Sequence, residues 1–370
     1  MINRYYPMKY LLLITVIMIL SNCASVRSPE GGPLDEIPPT LLGTSPEVLT
    51  NIEPEQKITI RLSEYLKESS LKNSLHVYPM HAGEIRHEFR GDKIDVWLPK
   101  NLKNDTTYIL IIDTGLADEH GIAIEKDLSI PFTMGSTFTS SKIEGDVYGN
   151  IDRGNLLLWR GILSHDEMLD RDPDYIANLI DDSYTFDYLP IDDFSILAIE
   201  QYGSNIDYTK GPYALYHQKS ISTKNASLKN VNFLMNKVSN TEEPETDSLD
   251  VIVENDDVIV ENDNEGVKTA DLSGTVLGKF LHPIKMLLQN DSHTYITPVN
   301  LDGSYVINDI IGGKYQLLIY EDRNNDNQLN MGSFIDQTYS EKFYVYPDSL
   351  SCRANWELEL PSWNYQKEIK

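Results

Sequence analysis

Apolar and polar residues alternate along much of this chain. Ile58, Ile60 and Leu62 fall on one side and Thr59 and Arg61 on the other, the period of two that marks a half-buried strand. Ile94, Val96 and Leu98 repeat the pattern, and Tyr108 to Ile112 is a continuous apolar run suited to a strand in the middle of a sandwich. Turn chemistry separates these runs at Ala82-Gly83, Arg90-Gly91-Asp92 and Lys103-Asn104-Asp105. About seven strands within about a hundred residues predict a β-sandwich over residues 38–136.

Beyond it the chain repeats itself. Ile143-Glu144-Gly145-Asp146-Val147-Tyr148-Gly149 matches Leu272-Ser273-Gly274-Thr275-Val276-Leu277-Gly278 at an offset of 129, and the 19 residues from Ser183 match those from Ser304 without a gap at an offset of 121. The spacing predicts two copies of one small β-sandwich, at 139–238 and 269–364, the first carrying eight extra residues between these landmarks. Gly312 and Gly313 are expected to supply positive φ in a tight turn before the strand Gln316 to Tyr320, where the first copy has Pro190 and Asp192. Between the copies, Asn240 to Glu265 carries eleven acids and no base and contains Asp-Val-Ile-Val-Glu-Asn-Asp twice in succession, so residues 239–268 read as a self-repelling acidic linker. The predicted fold class is all-β throughout.

Composition narrows the function. At roughly 150 residues per domain, 370 residues make two to three domains, and 41 % hydrophobic residues suffice for ordinary cores. A formal net charge of −26 excludes a nonspecific nucleic-acid binder, which must neutralise phosphates with cations. Two cysteines make no disulfide framework, and neither a CxxC pair nor a Cys/His quartet is present. GxSxG, HExxH, P-loop and GxGxxG patterns are also absent from the sequence, which predicts a protein that is not an enzyme.

The N-terminus reads as an address. Arg4 and Lys9 precede an apolar run from Tyr10 to Leu20, too short for the roughly 20 helical residues that span a bilayer, so residues 1–22 are a signal peptide rather than an anchor. Leu20-Ser21-Asn22-Cys23 resembles the lipobox of bacterial lipoproteins, although Asn22 departs from the usual small residue. The resemblance implies lipidation of Cys23, and acyl chains there would anchor the protein at about 0.8 kcal/mol per buried methylene. Ala24-Ser25-Val26 places no Asp beside that cysteine, which by the same resemblance points to the outer membrane and, with no acidic export cluster, to its periplasmic face. Residues 23–37, rich in Pro and Gly, form a tether.

Pro38-Pro39-Thr40, Thr44-Ser45-Pro46, Ile58 to Glu64, Thr114 to Gly121 and Pro131-Phe132-Thr133-Met134-Gly135 come in the order and spacing of the bacterial Ig-like domain of the SbsA surface-layer type, which the segment resembles. That resemblance makes Asp118 to Gly121 a strand-connecting turn rather than an acid and a histidine acting together. Asp302-Gly303-Ser304-Tyr305, Ile310 to Tyr315 and the apolar strand that follows resemble the carboxypeptidase regulatory-like, transthyretin-type sandwich.

Few residues carry candidate chemistry. Asp322, Asn324, Asp326, Gln328 and Asn330 place oxygens along one short loop in the manner of an EF-hand calcium site, with Asn327 at the usual glycine position and Ser333 where a Glu belongs. Two readings stand open: a Ca²⁺ site, or a turn held by Asx hydrogen bonds alone. The first copy, with Gln201, Gly203 and Asn205, should bind no metal. His81, His87 and Glu88 do not fill a zinc sphere, and Cys352 reads as a small buried residue. Tyr202, Tyr208, Tyr213 and Tyr216 cluster after the first copy's long strand and would line a ligand-binding face. The sequence reads as a lipid-anchored scaffold or protein-binding arm of the cell envelope whose partner is another envelope protein. The alternatives are a carbohydrate or peptide binder using the loop tips, and an accessory subunit of an envelope hydrolase.

Overall fold

The computed structural model describes residues 34–365 except 81–84, 150, 152, 202–206, 208–210, 225, 226, 236–267, 280, 281 and 335. Cys23 and nearly all of the acidic segment therefore lie outside the described residues. The chain is all-β, and its strands fall into three successive pairs of facing sheets.

The first pair is built from β1 (Leu41–Ser45), β2 (Lys57–Leu62), β3 (Leu75–Tyr78), β4 (Arg86–Arg90), β5 (Lys93–Trp97), β6 (Thr107–Ile112) and β7 (Leu128–Thr133), with a single helical turn, α1 (Glu68–Leu71), before β3. One sheet runs β1-β2-β5-β4 and the other β3-β6-β7. The alternation in β2 works as its sequence demands: Ile58, Ile60 and Leu62 are fully buried and meet Ile94, Val96, Leu110, Ile112, Ile130 and Phe132 in one core. Gly91 turns the β4–β5 hairpin at φ +64°, where an added Cβ would strike the Tyr65 ring at 2.7 Å.

The next strands are β8 (Ser141–Tyr148), β9 (Asn155–Arg160), β10 (Tyr175–Asn178), β11 (Ser183–Leu189), β12 (Asp193–Ile199), β13 (Tyr213–Leu215), β14 (Ile221–Ser222) and β15 (Phe233–Leu234), with α2 (His165–Leu169) after β9. The last set comprises β16 (Thr269–Leu277), β17 (Ile284–Gln289), β18 (Thr294–Pro298), β19 (Ser304–Ile311), β20 (Gly313–Glu321), β21 (Phe343–Val345), β22 (Leu350–Cys352), β23 (Glu357–Glu359) and β24 (Trp363–Asn364). The two sets share one wiring. β8 pairs antiparallel with β11 and parallel with β15; β16 pairs antiparallel with β19 and parallel with β23 and β24. β9 pairs with β12 as β17 pairs with β20.

The pairing explains what the repeated motif preserves. Gly145 lies opposite Tyr184, and Gly274 opposite Tyr305, where the absent side chain of Gly274 makes room for the Tyr305 ring, whose hydroxyl would stand 2.6 Å from a Cβ. In the first set Val231 also crosses this point, its carbonyl oxygen only 2.1 Å from where a Cβ on Gly145 would stand. A β-bulge recurs as well: the register slips between Phe186 and Leu189 and again between Ile307 and Ile310, around Tyr188 and Asp309 at φ 58° and 59°.

Those left-handed residues correct the expectation for Gly312 and Gly313, neither of which has positive φ. No hairpin exists there. β19 belongs to the β16 sheet and β20 to the β17 sheet, so Gly312 turns a corner between sheets, which ordinary backbone angles achieve.

Candidate functional site

The central strands are apolar on both faces. Leu156, Leu158, Ile196 and Ala198 face the core of the first repeat, while Leu157, Trp159, Leu197 and Ile199 face away from it and are also buried. In the second repeat Met286, Leu288, Leu317 and Ile319 face inward, and Leu287, Leu318 and Tyr320 face outward. A sheet covered on one side only would place polar residues at these outward positions, so each outer face requires a cover.

Each repeat covers the other. Phe334, from the long excursion between β20 and β21, packs with Leu157, Trp159, Met168, Leu197 and Leu215 of the first repeat and is itself only 7 % exposed. Its ring stacks on His165 at 4.7 Å and meets Tyr213 at 5.2 Å, and Tyr339 closes on the other edge of His165 at 5.2 Å. Reciprocal backbone hydrogen bonds between Ser333 and Thr338 form the small loop that presents Phe334, and Gln337 Nε2 donates to Asp166 Oδ2 at 3.1 Å. His165 opens α2, whose capping box joins Ser164 and Glu167, and burial holds its imidazole below the usual histidine range. In return Leu234 of the first repeat packs on Leu287, Leu318 and Tyr320 of the second, flanked by Tyr148 against Phe343.

The candidate calcium loop forms the base of this excursion. Asp322 is fully buried, and its two oxygens accept from Asp326 N and Asn327 N, each at 3.2 Å. Asn324 Oδ1 accepts from Asp326 N, Asp326 Oδ1 from Gln328 N at 2.7 Å, and Asn330 Oδ1 from Gly332 N at 2.7 Å. Asn325 and Asn327 take φ of 59° and 61°, so Asn327 does adopt the left-handed conformation that its position in the loop requires. A cation is already built in: Lys285 Nζ donates to Asn327 Oδ1 at 2.5 Å and lies 3.9 Å from Asp322 Oδ2.

This arrangement does not fit calcium, which needs six or more oxygens turned inward and unopposed by an ammonium group. The geometry follows the Asx-turn reading. Glu341, at the far end of the excursion, is a member that sequence reasoning misses: its carboxylate accepts from Arg323 N at 2.7 Å and Asn330 N at 3.0 Å, closing the loop. Burial, reinforced by Asp322 and Asp326, raises its pKa. Lys285, a charge inside the apolar run Ile284 to Leu288, was the available signal that a buried acid awaited it.

Tyr202 and Tyr208 lie outside the described residues. Tyr213 and Tyr216 point to opposite faces of their sheet. Tyr213 joins the Phe334 junction, while Tyr216, just past the end of β13, packs on Phe233 at 5.8 Å beside the core, so the two do not line one face. His87 is exposed on β4 and His81 is outside the described residues. Cys352 is buried, and burial raises its thiol pKa.

A second junction joins the Ig-like sandwich to the first repeat. Tyr78 and Ile109 share a cluster with Tyr175, Ala177 and Phe186, and Met80 N donates to Asp174 O at 2.9 Å. A cleft of about 310 Å³ beside it contains Asp127, which accepts from Thr114 N at 3.1 Å and Asn178 Nδ2 at 3.2 Å. Burial pushes the Asp127 carboxyl up to about 6. No helix among the described residues is long and apolar enough to cross a membrane.

No curated protein matches the sequence. Among solved structures, the chain is similar to the major pilin subunit of Bacillus cereus, at 12 % identity over 54 % of this chain and 70 % of that one with a TM-score of 0.17. The minor pilin GBS52 of Streptococcus agalactiae has 10 % identity over 62 % and 98 % and a TM-score of 0.16. Domains MG0-NIE-MG1 of alpha-2-macroglobulin from Escherichia coli have 10 % identity over 77 % and 94 % and a TM-score of 0.21. Scores this low leave nothing to transfer from those proteins to this one. Residues 35–140 match the sequence family described as bacterial Ig-like domain, so the first sandwich is identified as a domain of that kind.

Proposed function

We propose that this chain is a non-catalytic, lipid-anchored protein of the cell envelope that acts as a scaffold or protein-binding arm at the outer membrane. The observation that supports the arm is the reciprocal packing of the two repeats: Phe334 seals one outer sheet face and Leu234 the other. Beads on a flexible string would present polar outer faces and move independently. Buried apolar junctions on both sides of the first repeat instead fix each sandwich against the next, which is what holding a partner at a set position requires. The anchor rests on the signal-like N-terminus and Cys23.

The test is crosslinking in intact cells of a two-membrane bacterial host. The full chain should recover one envelope protein repeatedly, and deletion of residues 137–370 should abolish recovery. Recovery that is unchanged by the deletion would assign docking to the Ig-like domain and refute the arm. Replacing Cys23 by Ala should release the protein from the membrane fraction; retention would refute the lipid anchor.

A further inference from the structure

The turn at Asp118 to Gly121 holds a group that the fold does not use. Asp118 is 1 % exposed; its Oδ1 accepts from Ile122 N at 2.8 Å and so wraps the turn, while its buried Oδ2 faces the Glu64 carboxyl, which can hydrogen-bond to it only while it keeps its proton. A buried carboxylate oxygen with no N–H partner is costly unless a proton or a cation reaches it. The group lying against it is the Glu64 carboxyl, just beyond β2, so the carboxyl–carboxylate contact is favourable with a proton between the two and repulsive without one. Two acids side by side call for a positive charge between them, a proton or a cation.

Two further groups converge there and favour the cation. Asp35, shortly before β1, and His120 each offer an atom to the same point: one ligand atom each from Asp35, Asp118 and His120 all lie within 4.8 Å of one another. His120 Nδ1 stands 3.3 Å from Asp35 Oδ2. Asp35 is oriented as Asp118 is, with one oxygen held by the backbone: its Oδ1 accepts from Ile37 N at 3.1 Å, which turns Oδ2 toward the histidine. The lead-in that carries Asp35 is tied down at Thr40, whose N–H donates to Ser63 Oγ and whose carbonyl accepts from Ser63 N. Backbone N–H groups thus hold both aspartates by one oxygen and direct the carboxylates into a common space, the orientation that supporting hydrogen bonds give to metal ligands.

We propose that Asp35, Asp118 and His120, with Glu64 beside them, bind a divalent d-block cation of the zinc type. One imidazole nitrogen with several carboxylate oxygens suits zinc, whereas calcium and magnesium take oxygen-only sets. A bound ion would satisfy Asp118 Oδ2, neutralise the Glu64–Asp118 edge and staple three separate stretches: the lead-in at Asp35, the end of β2 and the turn after β6. The staple would sit where the chain enters the Ig-like domain and set the direction in which that domain leaves its N-terminal segment. This inference is independent of the arm reading, since it concerns the Ig-like domain alone.

The test uses the full chain in detergent, titrated with zinc against a chromophoric chelator and, separately, with cobalt while visible absorption is recorded. Wild type should take up one tightly held zinc, and cobalt should give the intense bands of a low-coordinate site. His120→Ala and Asp35→Asn, both at positions outside the apolar cores, should weaken zinc at least ~10-fold, the loss seen even for outer-sphere partners. His87→Ala, on the exposed face of β4, controls for loose binding by an acidic chain and should change nothing. Asp118 is left intact because it also holds Ile122 N. Zinc bound as tightly by His120→Ala as by wild type would overturn the proposal, as would no tight zinc on wild type, or a preference for calcium that survives His120→Ala.

Discussion

Replacing Phe334 by Ala separates a structural loop from a joint. Phe334 belongs to the second repeat by sequence, yet it is buried against residues of the first, and the exposure left to it is 7 %. Burying a Phe side chain contributes about 1.5–3 kcal/mol, and its ring contacts with His165 and Tyr213 add about 0.5–1.5 kcal/mol each. The sum, about 2.5–6 kcal/mol, brackets the range of about 3–5 kcal/mol measured for Phe-to-Ala changes in cores, and the hole left between rigid sheets cannot collapse fully. The loss should appear in the partner repeat. Hydrogen exchange resolved by residue should show faster exchange in β9 and α2, which belong to the other repeat, and thermal unfolding should separate into two transitions where the wild-type repeats should melt together. Deprotection confined to residues 322–341, with β9 and α2 unchanged, would falsify the view that Phe334 couples the two repeats.

Other expectations follow from single groups. Asp127 rises from its ordinary 3.8 to about 6, so its folded form holds the proton more tightly than its unfolded form. Its contribution is fully present below pH ~4 and is lost as pH climbs through ~6, and Asp127→Asn should stabilise the chain by about 1–2 kcal/mol at pH 7.5 and by nothing at pH 4, read from denaturation midpoints. Lys285→Met should cost about 3 kcal/mol, since it strands the fully buried Asp322; an unchanged midpoint would show that the backbone N–H groups alone stabilise that carboxylate. Millimolar calcium should leave the wild-type melting temperature unmoved, because Lys285 fills the loop; a rise would mean that the ammonium yields to the metal. Gly145→Ala should cost more than ~2 kcal/mol or abolish folding, because its Cβ would stand 2.1 Å from Val231 O, while Gly312→Ala, with its nearest neighbour at 3.7 Å, should be tolerated.

The strands were legible where one physical pattern dominated them, and the joints were not. Ile58, Ile60 and Leu62 alternate because only one face of β2 is buried, and the Gly–Tyr pair recurs in both copies, at an offset of 129 for the glycine and 121 for the tyrosine, because cross-strand packing is local to two strands. The junction was also written, as Leu156 to Trp159 and Ile196 to Ile199 without a charged residue between, but a doubly apolar strand reports only that a second cover exists and not which segment supplies it. Phe334 sits in an irregular loop, and Leu329, Met331, Ile335 and Tyr339 around it in the sequence keep no sustained strand or helix period, so nothing in the pattern singles it out. The candidate sites divide in the same way. Alternating oxygens from Asp322 to Asn330 are compatible with a cation and with Asx turns alike, and what weighs against a cation is Lys285, on a strand far earlier in the chain. Asp118 reads as part of a turn, and the turn is there; what no single stretch discloses is that Glu64 and Asp35 are carried to the same point from places far apart in the chain. Residues brought together by topology carry no shared signature in the sequence, so these two concentrations of buried, imperfectly balanced charge are visible only once the sheets are paired.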